Sequence, residues 1–140
     1  MTTKELLELS EARGYIEVPS DLCGLEAASV ILPSGNCAWT VSDQGLTVAE
    51  YNWRLAHEMG HCEELAFYTI SSPPAARLRA ESLADRWSYK KMVPVSALLS
   101  AFSDGCTEAW QIAERLDVPE QMVVKAAEYY RAALYDSYPS

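Results

Sequence analysis

The sequence predicts an α+β fold, and three observations carry that prediction. A charged, leucine-bearing helical stretch opens the chain, a β-prone region runs from Ala28 to Val48, and helical patterning begins at Ala49 and continues almost to the end. Strands followed by a run of helices is the order of a small sheet with helices gathered beside it. With 140 residues, 49% of them hydrophobic, the chain can bury a core of its own, so a single domain over residues 1–140 is expected.

Residues 3–13, TKELLELSEAR, set Leu6, Leu7 and Leu9 among charged neighbours, and Gly14 follows where a helix would stop. The runs SVIL, CAWTVS and GLTV are separated by PSGN and SDQG, which carry turn residues, so two or three strands joined as antiparallel hairpins are expected. The next helix should begin near Tyr51. Later breaks fall at SSPP (71–74), VP (93–94), SDG (103–105) and DVP (117–119), and the closing DSYPS should fray. No internal repeat or long linker interrupts this order.

Charge excludes one class of function. Twenty acidic against 11 basic residues give a net charge of -9, which repels a phosphate backbone, so direct nucleic-acid binding is not expected. No apolar run approaches the ~18 residues of a membrane span. The opening MTTKELLELS lacks the basic-then-apolar order of a signal peptide, and a cytoplasmic protein is expected. Cys23, Cys37, Cys62 and Cys106 are far apart with no C-x-x-C pair, and they read as reduced thiols.

The segment that carries chemistry is AHEMGHCEE. His57 and His61 are four positions apart, which in a helix puts the imidazoles within ~40° of one another on adjacent turns, able to chelate one ion. Glu58, beside the first histidine, is placed as a general base for a water activated by that ion, the chemistry of peptide hydrolysis. A catalytic zinc takes three protein ligands, and these are the chain's only two histidines, so the third must be another residue type. The helical stretch ARLRAESLADRWSYKKM offers Glu81 as that ligand. Asp85, four residues on along the same face, is placed to accept from the ring N–H of a bound histidine, with His57 the expected partner. Zinc is the expected cofactor, although a two-histidine, one-carboxylate set can also take manganese, iron, cobalt or nickel.

HEMGH followed twenty residues later by E81-S-L-A-D85 resembles the two-helix metal site of gluzincin peptidases. HE-x-GH, E-x-x-A-D and the Met92-Val93-Pro94 end are similar to the ImmA/IrrE family of metallopeptidases, strongly over Ala49–Pro94 and weakly over IAERLDVPEQMVVKAAEYY. The resemblance implies a zincin-like domain and a cytoplasmic zinc peptidase. It also implies a protein substrate, a helix-turn-helix transcriptional repressor of a mobile element or prophage. One departure from the family's pattern is DRWSYKKMVP, where an alanine-rich run ending in two leucines is common.

Each reading has a plainer counterpart. An HExxH match arises by chance on any helix, but here it holds every histidine of the chain and is followed by an acidic pair. Gly60 relieves crowding on that helix at a propensity cost of ~1 kcal/mol. Glu63 and Glu64 read as charges solvating a helix end, and Asp85 could instead pair with Arg86 or Lys90 on the surface. Tyr51, Tyr68 and Tyr89 are all available to stabilise an oxyanion, but each reads better as a packing residue, and none is assigned a catalytic role. Ile112, Ala113, Leu116, Met122, Val123, Ala126, Ala127 and Tyr130 recur at helical spacing, and amid Glu114, Asp117, Glu120 and Glu128 they suit core packing or a protein partner better than DNA. The alternative function is a non-proteolytic antirepressor or binding module with a structural metal.

Overall fold

A computed structural model of the protein describes residues 1–137. Its elements are α1 (Thr3–Arg13), β1 (Ile16–Glu17), α2 (Ser20–Cys23), β2 (Ala27–Ile31), β3 (Cys37–Val41), α3 (Val48–Glu63), α4 (Pro74–Met92), α5 (Val95–Ser103), α6 (Ala109–Leu116) and α7 (Glu120–Ser137). The class is α+β, as the sequence predicts. Residues 138–140 of the DSYPS tail lie outside the described residues, while Asp136 and Ser137 close α7. Among the described residues, no helix is long and apolar enough to cross a membrane.

Local chemistry sets the helix boundaries. Thr2 and Glu5 form a reciprocal capping box at the start of α1, and Gly14, at φ 73°, adopts the left-handed turn that ends it. Leu6 is completely buried, whereas Leu7 faces outward, so only part of the expected leucine face enters the core. The breaks at SSPP, VP, SDG and DVP all separate helices, and Asp117 closes α6 at φ 53°. Pro94 prevents α4 from continuing, and the carbonyl of Val93 just before it accepts from the Tyr130 hydroxyl at 2.9 Å.

The sheet differs from expectation in two ways. Its order is β1-β3-β2, and it is mixed: β2 pairs antiparallel with β3, but Ile16 and Glu17 of β1 pair parallel with Ala38 and Trp39. The third strand therefore comes from before the β-prone region. GLTV supplies none. Thr47 and Glu50 form a capping box there, and α3 starts at Val48, three residues earlier than expected, because cap hydrogen bonds outweigh the β-propensity of a short run.

β3 is buried along Cys37–Thr40, while β2 forms an edge of the sheet beside α3. Trp39, Leu55, Met59, Met92, Val93 and Met122 are among the most deeply buried side chains and belong to one apolar cluster with Leu6. Ile112, Ala113, Val123 and Ala126 join it, so the tail helices pack as core. Asn52 fixes the start of α3 from two directions, hydrogen-bonded to Thr3 and donating to the Asp117 carbonyl at 3.0 Å.

The thiol reading is overturned at two positions. Cys37 on β3 and Cys62 on α3 form a disulfide, their Cα atoms 5.8 Å apart. The packing of strand against helix brings together two residues 25 positions apart, which spacing alone could not reveal. Cys106 is a free cysteine, and the Cys23 side chain lies outside the described ones.

Candidate metal centre

The site lies where α3 crosses α4. Gly60 makes this crossing close: a Cβ there would come within 2.5 Å of the Ala84 carbonyl oxygen and 2.9 Å of its Cα. With only hydrogen at that position, the two backbones approach until side chains one and three residues away converge. His57 Nε2 lies 3.1 Å from His61 Nε2 and 2.7 Å from Glu81 Oε2, and His61 Nε2 lies 3.5 Å from Glu81 Oε1. One ligand atom from each of the three residues falls within 4.8 Å of the others. Ligands held ~2 Å from one tetrahedral ion sit about 3.3 Å apart, so the spacing suits a zinc-sized cation.

Hydrogen bonding prepares both imidazoles for that role. His57 Nδ1 donates to Asp85 Oδ1 at 2.9 Å, the partner expected from the sequence, and His61 Nδ1 donates to the Ala66 carbonyl at 2.6 Å. Both partners can only accept, so each ring carries its proton on Nδ1 and turns an Nε2 lone pair toward Glu81. Three acceptors facing one another repel unless positive charge lies among them. The donor set therefore fits a divalent cation.

Electrostatics follow from burial and neighbours. Burial pushes the His57 pKa down, but the Asp85 hydrogen bond, with the charges of Asp85, Glu81 and Glu58, outweighs it and leaves the pKa raised. For Glu81, burial raises the pKa, and the Tyr68 hydrogen bond with the two histidines brings it below the ordinary value. Glu58 is buried, and burial raises its pKa against a hydrogen bond from Ser29 and the pull of His57 and His61.

No family model, curated protein or solved structure matches the chain. A cleft of about 510 Å³ exposes His57, Glu58 and Glu81 between Trp53 and Glu26. A second, of about 290 Å³, reaches Glu58, His61 and Glu81 from the side of Ser29 and Tyr68. Ala27, Glu58 and Glu81 line both, so a groove passes along β2 over the converging side chains.

All five residues singled out from the sequence meet here, and three others join them. Ser29 bonds Glu58, Ala66 orients His61, and the Tyr68 hydroxyl donates to Glu81 Oε1 at 2.6 Å. Tyr68 was one of three tyrosines that sequence left equivalent, while Ser29 and Ala66 carry no local signal. Tyr51 and Tyr89 pack against or within the core. Leu65, at φ 51°, takes a left-handed turn that returns the chain so that Ala66 N donates to the His61 carbonyl at 2.9 Å. Glu63 does not merely solvate the helix end: it accepts from the Tyr15 hydroxyl and from Arg13. Asp85 bonds His57, and Arg86 instead donates to Ser82 at 3.3 Å.

Proposed function

We propose that the protein is a zinc-dependent endopeptidase with a zincin-like site, whose substrate is a protein of the helix-turn-helix repressor class. The observation that carries this reading is the convergence of His57, His61 and Glu81 with a buried carboxylate, Glu58, in the same open groove. A purely structural metal site would have no use for that carboxylate beside an accessible face. The resemblance to ImmA/IrrE metallopeptidases supports the substrate class, and a net charge of -9 favours a basic, DNA-binding partner.

His57, His61 and Glu81 would hold the ion, which when bound supplies Lewis-acid activation of a carbonyl and of water. Asp85 and Ala66 keep both imidazoles in the tautomer that presents Nε2. Glu58 takes the proton from the attacking water and delivers it to the departing amine nitrogen, and burial makes it the more ready to hold that proton between the two steps. An extended substrate can lie along the outer edge of β2, which no other strand among the described residues pairs with.

The test is metal content and cleavage measured together on untagged protein. Wild type should carry about one zinc per chain, Glu81→Ala much less, and Glu58→Gln should keep the metal but lose cleavage of a repressor that wild type cuts. A Glu58→Gln protein that still cuts would overturn the mechanism. Repressor captured without truncation by metal-loaded wild type would instead support a non-cleaving antirepressor.

A further inference from the structure

The segment joining α3 to α4 reaches one ligand on each helix. Leu65 reverses the chain, the next residue gives its carbonyl to His61 Nδ1, and two residues later the Tyr68 hydroxyl donates to Glu81 Oε1. The same Tyr68 ring is held from two sides. The Arg77 guanidinium lies 5.1 Å above it, and the His61 imidazole meets it edge to face at 6.3 Å. Arg77 is four residues before Glu81, on the same face of α4, so the helix that carries the carboxylate also anchors the phenol that binds it.

Glu81 needs such support. Its side chain has three rotatable bonds, and its side-chain exposure is 34% against 6% for His61. Packing alone does not select one rotamer at that exposure. Its two oxygens are used differently: Oε2 faces His57 Nε2 at 2.7 Å, while Oε1 takes the Tyr68 hydroxyl at 2.6 Å. A carboxylate that binds an ion through one oxygen leaves the other for such a donor.

We infer that Tyr68 is a positioning residue, whose hydroxyl holds Glu81 Oε1 and thereby keeps Oε2 turned toward His57, and that it so sets how tightly the site binds zinc. The inference rests on reading His57, His61 and Glu81 as a zinc site. It assigns Tyr68 a role in the metal-binding equilibrium, separate from any contact with substrate.

The experiment is zinc affinity of the full chain, measured by competition with a chromophoric chelator, together with the thermal midpoint of the metal-free protein. Tyr68→Phe should weaken zinc binding 10–100-fold, a range usual for the partners of metal ligands, and leave the metal-free midpoint where it was. In a Glu81→Ala background the same substitution should have no further effect on affinity, because the group it positions is gone. Unchanged affinity in Tyr68→Phe, or an equal loss with and without Glu81, would overturn the inference while the zinc site stood. Failure of wild type to bind zinc would instead overturn the site reading on which it rests.

Discussion

Gly60 and Ala84 touch backbone to backbone where α3 crosses α4, and no side chain fits between them. Gly60→Ala would gain ~1 kcal/mol in helix propensity. The added methyl would meet main-chain atoms that cannot rotate away, however, and overpacking of that kind costs about 1–3 kcal/mol. The expected result is net destabilisation in urea unfolding. Zinc affinity should fall as well, because α4 must retreat with Glu81 and Asp85 upon it.

Asp85 acts on the site through His57. Asp85→Ala removes the acceptor at 2.9 Å from Nδ1 and should weaken zinc binding 10–100-fold without unfolding the protein. Asp85→Asn retains a carbonyl oxygen able to accept and should fall between the two. Chelator competition on the three proteins gives the order.

The Cys37–Cys62 bond closes a loop with a sequence separation of 25, for which chain entropy predicts stabilisation of about 3.5 kcal/mol. A Cys37→Ser, Cys62→Ser double variant should unfold at correspondingly lower urea. Reductant should shift wild type toward the variant and leave the variant unmoved.

Tyr15 and Tyr89 should titrate late. Burial, then the hydrogen bond and charge of Glu63, pushes Tyr15 up to about 12, and burial with the charges of Asp85 and Glu128 pushes Tyr89 up to about 12. Both folded values lie above the ~10 of an unfolded tyrosine. The stability they contribute is therefore complete below pH ~10 and is lost as pH rises through their folded values. Ultraviolet titration should show one late phenol fewer in Tyr15→Phe than in wild type, the variant also losing less stability over that alkaline range.

What was legible in the sequence follows helix geometry. His57, Glu58 and His61 share one helix and Glu81 and Asp85 another, and spacings of one and four residues fix faces before any tertiary contact is known. The partner of Asp85 was legible for the same reason. Ser29, Ala66 and Tyr68 were not, because they reach the site from an edge strand and a loop whose paths depend on packing. The parallel pairing of β1 and the approach of Cys37 to Cys62 are likewise products of the assembled layers. The start of α3 was different. The T-x-x-E signature at Thr47–Glu50 was present but lay within a run of β-prone residues, and the cap prevailed.

His57, Glu58 and His61 all lie between Cys37 and Cys62, so they sit inside a covalent ring. A single backbone cut anywhere in the turn between β3 and α3 would open that ring without releasing either piece. The nicked protein would migrate as one species until reductant was added, and then as two. Until then, the helix bearing both histidines would remain tethered to the central strand by its far end.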